Sequence, residues 1–298
     1  MLLKKYKINL LIAVTFLLMC LYVGSCNLEP IAIDLENIGP KIIIEGAVTN
    51  QPGPYTIQIS EKADYLDLAE EIPLVSGADV RISDNEGNSE TLVELSPGIY
   101  RTVLFQGYPD RTYNLRVFSD GNEYTASSKM PVSVLLDSLV FERRSYVTSE
   151  YNMKFYFTDR EGREDYYRFL IYRNGILITE DYYLYSDEFS DGEQIEIDYF
   201  DQLTFLFHDN VRVEIWAFDR ATYQFFSSLK RLLDMENEEE DVEVDIDGVQ
   251  DEEGNSVAPM LIPMALFNPT SNLSDNAIGY FSAISVWTYN FVVQERTN

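Results

Sequence analysis

The residues able to do chemistry in this chain fall into four groups. Two thiols, Cys20 and Cys26, lie near its start. One imidazole, His208, sits beside Asp209 and Asn210 between two strand-like runs. Twelve carboxylates crowd Asp234 to Glu253. Three tyrosines, Tyr182, Tyr183 and Tyr185, precede the acids Asp187, Glu188 and Asp191. A single histidine allows only one Ser-His-Asp arrangement, and the neighbours of His208 read as a turn. No Gly-x-Ser-x-Gly elbow, phosphate loop or His-Glu-x-x-His helix occurs. Zinc would lack nitrogen and sulfur ligands. Asp245-Ile246-Asp247-Gly248 lacks the third ligand and the spaced glutamate of a calcium loop. Among 50 acids, no pair of carboxylates marks a glycosidase by itself. The sequence therefore predicts no catalytic residue, no metal and no cofactor. A hydrolase using carboxylates or His208 is the weakest alternative. The tyrosines predict strand and core positions first, and contacts to a ligand or partner second.

Cys26 differs because of what precedes it. Lys4, Lys5 and Lys7 form a basic segment, and Ile8 to Val23 is an uncharged apolar run of 16 residues. Gly24 and Ser25 follow. This is the layout of an export signal, and the run is short of the ~20 residues of a spanning helix. Val23-Gly24-Ser25-Cys26 resembles a bacterial lipobox. The resemblance implies a signal peptide over 1–25, a diacylglyceryl thioether on Cys26 and an acyl chain on the new amino terminus. One chain binds a bilayer only marginally, and each buried methylene adds ~0.8 kcal/mol, so several chains anchor a soluble body. Asn27 in place of Asp does not favour retention at the inner membrane, by the same resemblance. Cys20 would leave with the signal. The mature chain would then have no free thiol and no disulfide, and must rely on its core.

The chain carries −28, and loss of three signal lysines takes it to about −31. Such a charge repels nucleic-acid phosphates and anionic head groups. Nucleic acid is therefore excluded, and lipid rather than electrostatics would hold the membrane. The elements that must position any site are mostly strands. After a tether over 26–40, residues 41–131 read as a β-sandwich. Ile42-Ile43-Ile44 is a strand ended by Gly46, Tyr55 to Ser60 alternates, and Asp84 to Asn88 is turn chemistry with Thr91 to Leu95 returning as its hairpin partner. Tyr113 to Phe118 pairs back through Glu123 to Ala126. Val132 to Leu139 reads as a linker or crossing strand. Residues 132–298 read as a second antiparallel β domain. Tyr166 to Arg173 and Ile176 to Tyr183 flank Asn174-Gly175, the clearest hairpin signal. A helix is predicted over 220–235, capped by Asp219, with Phe225, Leu229, Leu232 and Leu233 on one stripe, Phe226 beside it, and Lys230 and Arg231 near its C-terminal end. The acidic run 234–253 reads as an exposed loop. Gly279 to Val293 closes the fold as strands. The fold class is all-β.

Several stretches together resemble a Bacteroidetes lipoprotein family known as domain of unknown function four-two-four-nine. They are Ile44-Glu45-Gly46, Tyr55-Thr56-Ile57, Ser76 to Val80 with Asp84 to Gly87, Gly98-Ile99-Tyr100, Asp165 to Phe169, and Asn268 to Asn272 leading to Gly279-Tyr280-Phe281. The resemblance implies a lipid-anchored outer-membrane protein, often encoded beside a TonB-dependent receptor. The leading expectation, drawn from the lipobox, the two β domains, the lack of a catalytic signature and this resemblance, is a cell-surface lipoprotein that partners that β-barrel and helps capture or gate a nutrient. The alternative is a structural, adhesin or envelope-assembly lipoprotein. The first sandwich also resembles immunoglobulin- and transthyretin-like sandwiches, through its Gly-Ala-x-Val strand and following turn. The lipobox makes one direct prediction. A Cys26→Ser variant should move from the detergent phase to the aqueous phase in Triton X-114 partition, and lose its mass increment for lipid.

Overall fold

The computed structural model describes residues 42–61, 73–144, 149–179, 183–198, 203–240 and 269–294. Seventeen strands and one helix occur among them. The lipobox, Tyr182, most of the acidic run and Met260 to Phe267 lie outside the described residues.

The organising strand is the last, β17 (Ile278–Val292). Fifteen residues of extended chain span roughly 50 Å. Its first half pairs in parallel with β1 (Ile42–Thr49), Ile43 against Ile278 through Thr49 against Ile284. Its second half pairs antiparallel with β16 (Asn210–Phe218), Ser285 against Ala217 through Val292 against Asn210. The two partners lie on opposite edges, so each half leaves one edge bare. Side chains fill both gaps. On the bare edge of the first half, Phe281 donates to Asn272 Oδ1 at 3.1 Å and accepts from Asn272 Nδ2 at 2.7 Å. Ala283 donates to Ser128 Oγ at 2.9 Å. Beyond the end of β1, Val286 donates to Asn50 Oδ1 at 2.8 Å and accepts from Asn50 Nδ2 at 3.2 Å. Each asparagine amide presents one donor and one acceptor, as a neighbouring strand would.

Through β17 one sheet of nine strands runs the length of this region. Beyond β1 it continues with β2 (Thr56–Glu61), β6 (Ile99–Arg101) and β5 (Val93–Ser96). Beyond β16 it continues with β11 (Tyr166–Arg173), β12 (Ile176–Leu177) and β13 (Tyr183–Ser186). Two smaller sheets cover one face. The first comprises β3 (Asp79–Asp84), β4 (Ser89–Thr91), β7 (Thr112–Ser119) and β8 (Asn122–Lys129). The second comprises β9 (Leu136–Arg143), β10 (Glu150–Thr158), β14 (Gln194–Ile197) and β15 (Phe205–Leu206). Each encloses its own apolar core. Ile44, Ile57, Val80, Leu115 and Phe281 meet in one. Phe155, Phe157, Phe169, Ile215 and Val213 meet in the other, where Phe155 and Phe169 pack edge to face at 5.0 Å. Successive strand side chains alternate faces. The even positions Ile284 and Val286 therefore face the other way, under the helix.

That helix, α1 (Arg220–Glu240), is capped by Asp219 as expected. Asp219 Oδ1 accepts from the Thr222 N–H at 3.0 Å, and Oδ2 accepts from Ser128 Oγ at 2.7 Å. The expected end and stripe need correction. The helix continues to Glu240, because glutamate propagates a helix already nucleated. Lys230 is thus mid-helix and pairs with Asp234 at 2.9 Å. Phe225 and Phe226 are buried and Leu229 packs against the same core as expected, but the stripe does not reach Leu233, which is 40% exposed, and Thr222 and Ser228 are buried with the phenylalanines. The acidic run accordingly begins as helix rather than loop.

Three strand expectations also change. β1 runs through Gly46, where an added Cβ would lie 2.3 Å from Ile57 Cδ1, so the glycine permits close approach rather than ending the strand. The return from Asp84 divides: β4 stays with β3, Leu92 is buried at the crossing, and β5 joins the large sheet. The Asn174-Gly175 turn has φ of 52° and 86°, the predicted mirror-image turn. Its return strand splits into β12 and β13, both paired with β11.

The asparagine clamps generate a prediction. Asn272→Ala leaves the Phe281 N–H and C=O without their partner, at a cost of about 1–3 kcal/mol for an unmet buried group. Urea unfolding should show that loss as a lower midpoint with an unchanged slope.

Candidate functional site

A cleft of about 440 Å³ opens beside the start of α1. The β10–β11 turn contributes Gly162, Arg163 and Glu164, the β13–β14 loop contributes Asp187, Glu188 and Asp191, and α1 contributes Arg220, Tyr223 and Gln224. Tyr166 and Ser186 complete its wall.

Three carboxylates stitch the turn to the loop. Asp159 Oδ2 accepts from the Gly192 N–H at 3.1 Å. Asp187 Oδ2 accepts from the Asp165 N–H at 2.9 Å. Asp191 Oδ1 accepts from the Gly162 N–H at 2.8 Å. Turn and loop thus each donate to carboxylates of the other. Gly162 has a φ of 81°, which a glycine adopts without strain. Asp165 is buried against Arg160 at 3.3 Å and Arg163 at 3.9 Å. Burial pushes the Asp159 carboxyl up, the charge of Asp165 adds to this, and the Gly192 N–H opposes it. Burial likewise pushes Asp187 up, with the Asp165 N–H pulling it back.

Ligand oxygens of Asp159, Asp187 and Asp191 lie within 4.8 Å of one another. Hard oxygen donors of this kind could hold calcium or magnesium, although calcium takes six to eight oxygens. The main-chain donors already account for the placement of all three. On the opposite wall, Tyr166 Oη donates to Glu164 at 3.1 Å. Burial first, then the Glu164 hydrogen bond and charge, push this hydroxyl up to about 12. Tyr166 and Tyr223 rings lie 4.9 Å apart, and Arg220 reaches Glu164 at 3.7 Å. The wall therefore presents a neutral phenol, two guanidinium groups and several carboxylates, which suit a polar ligand.

The tyrosines singled out in the sequence lie elsewhere. Tyr185 packs its ring against Phe157 at 5.9 Å, and its hydroxyl meets Ser190 Oγ at 2.5 Å. Tyr183 packs on the second core. His208 sits in an exposed turn at φ 71°, its N–H donating to the Val293 carbonyl. Sequence reasoning picked out Asp187, Glu188 and Asp191 but missed Asp159, Asp165, Tyr166 and Tyr223. The available signal was the run Asp159-Arg160-Glu161-Gly162-Arg163-Glu164-Asp165, a glycine turn bracketed by acids.

Comparison with known proteins gives a family match. The family model described as a domain of unknown function (DUF4249) matches residues 28–290. No curated protein matches the chain.

The raised carboxyls imply a pH dependence. The folded state holds the Asp159 proton more tightly than the unfolded chain does. Stability from this group is therefore greatest below the ordinary aspartate value of ~3.9 and falls as pH rises through the higher folded value. The Tyr167 hydroxyl donates to Asp159 Oδ1 at 3.3 Å, and in Asp159→Asn the same hydroxyl can accept from the new amide instead. The substitution should raise Tm by about 2 °C at neutral pH, and the gain should vanish near pH 3 in a thermal melt series.

Proposed function

The chain belongs to the DUF4249 family, and on that premise we propose that it captures a small polar nutrient for an outer-membrane receptor. Members of the family are lipid-anchored surface proteins of the Bacteroidetes outer membrane, often paired with TonB-dependent receptors. The general role of an accessory to such a barrel comes with membership. The finer role is supported by the cleft beside α1. Its volume falls in the ~300–1,000 Å³ range of small-molecule sites. Its lining mixes Arg163 and Arg220 with Glu164, Asp187 and Glu188, a donor and acceptor set suited to a peptide, glycan or metal complex. In this reading the lipid on Cys26 holds the body at the membrane, the protein is not an enzyme, and the first sandwich is immunoglobulin- or transthyretin-like.

Isolation of the lipidated protein from its host in mild detergent tests the reading. A stoichiometric TonB-dependent receptor is expected in the product. A lone monomer would count against the pairing in this chain, and envelope-assembly proteins in its place would favour a structural role. Tyr223→Ala combined with Arg220→Ala should leave that co-isolation intact while lowering uptake of the nutrient at least about tenfold, the scale of one lost charge-assisted contact.

A further inference from the structure

A strand at the edge of a sheet presents a row of unpaired N–H and C=O groups, and proteins protect it with charge, proline, a bulge or a cover. The longest strand of this protein has such an edge. The side of β17 that lies bare past the end of β1 is closed where it opens. There Val286 is held by Asn50, and its carbonyl also accepts from Gln51 Nε2 at 3.0 Å. Alternate residues of an antiparallel strand bond to its partner. Val293 donates to the Asp209 carbonyl and accepts from the His208 N–H, each at 3.0 Å, so the odd-numbered residues face β16. Val286 faces the other way, and the pairing with β16 is regular from Ser285 to Val292. Thr288, Asn290 and Val292 therefore turn their main-chain groups outward. Among the described residues β17 pairs only with β1 and β16, and no hydrogen bond reaches the outward groups of these residues.

The usual protections are missing from this edge. No charged residue and no proline occurs from Asn276 to Gln294, although 24% of the chain is charged. Trp287, Thr288, Asn290 and Val292 are exposed. Tyr289 and Phe291 are half-buried, with their rings stacked 6.5 Å apart.

We propose that the bare edge of β17 is a docking strand for a second copy of this chain, joined antiparallel about a two-fold axis at Asn290. The outward residues select that occupant, because they are symmetric about their middle member. Across the axis Thr288 meets Val292 of the second copy and Asn290 meets its own equivalent, and each such pair exchanges both of its main-chain bonds. The side chains match in the same register. An asparagine amide carries donors and an acceptor, so the facing Asn290 amides can bond reciprocally. On the other face Tyr289 comes opposite Phe291, a favourable cross-strand aromatic pair. Charge does not oppose the contact. Arg212 and Glu214, on β16 beside Asn290 and Thr288, pair with each other at 3.3 Å. Exposed charges farther off than the ~8 Å screening length are largely damped at physiological ionic strength. A charged partner, by contrast, finds no countercharge on this edge. A short edge pairing is weak alone, and lipid anchoring raises the effective concentration by confining the copies to one surface. The nutrient cleft takes no part in this contact.

Sedimentation velocity and residue-resolved amide exchange on the lipidated protein in detergent micelles test it, over a dilution series. The sedimenting species should fall from dimer to monomer on dilution. Exchange at Thr288, Asn290 and Val292 should quicken at least about tenfold as it does, while Trp287, Tyr289 and Phe291 stay protected by β16. Asn290→Asp and Asn290→Lys, both at an exposed position, should each weaken the dimer at least about tenfold, because like charges meet on the axis. An equimolar mixture of the two variants should pair again, since only a register that sets residue 290 against itself brings those charges together. A monomer at every concentration overturns the proposal. So does a dimer whose outward amides exchange as fast as the monomer's, or a mixture that pairs no better than either variant. Slow exchange of those amides at every dilution also overturns it, as the chain would then cover its own edge. Protection that appears only with a co-isolated receptor would assign the edge to the barrel instead.

Discussion

One strand changes partners half-way along, and the rest of the fold depends on how that change is accommodated. A buried main-chain group without a partner costs as much as several good contacts supply. When β17 passes from β1 to β16 it would leave such groups on both edges. Asn272 and Asn50 each give an amide to one gap, and Ser128 closes a third position. With those positions filled, one continuous sheet can back two separate cores. Asp219 then joins the two halves by capping α1 and holding the covered edge of β8 at once. A polar network of this kind specifies one arrangement, since each member has no equivalent partner elsewhere.

The acidic character of the chain has two different physical meanings. Among the described residues most carboxylates are solvated, and they repel like charge. Asp84, Asp159, Asp165 and Asp187 are buried, and each is met by specific donors. Asp84 illustrates the contrast with the cleft. Burial pushes its carboxyl up, but hydrogen bonds from Asn88, Arg111 and Glu86 outweigh that and hold it below the usual range. Asp159 and Asp187 have fewer donors and more acidic neighbours, so burial prevails there. The same residue type thus locks one turn and tunes the floor of a cleft.

Local chemistry was legible in the sequence. Asn174-Gly175 forced its turn because both residues accept positive φ, and Asp219 capped the helix. Relations between distant segments were not. Nothing in Ile42 to Thr49 says that its parallel partner is the final strand, because a central strand reads as apolar whichever neighbour it has. Asn272 and Asn50 look like loop residues until the bare strand edges are seen. The stitched carboxylates are a few acids among fifty, and only burial distinguishes them. Tyr166 escaped notice because its neighbour Tyr167 takes the core face, which leaves Tyr166 to the other side of the same strand.

The parallel pairing of β1 with β17 also sets an order of events for an exported chain. Asn50 and Val286, which meet at the junction, are 236 residues apart. A polypeptide threaded through a translocon from its amino terminus delivers β1 early and β17 last. The first core includes Phe281 and Ala283, so the earliest half to emerge is completed by the latest residues. Until then β1 keeps one side open, with Ile42, Ile44 and Val48 as apolar surface that periplasmic chaperones are suited to shield.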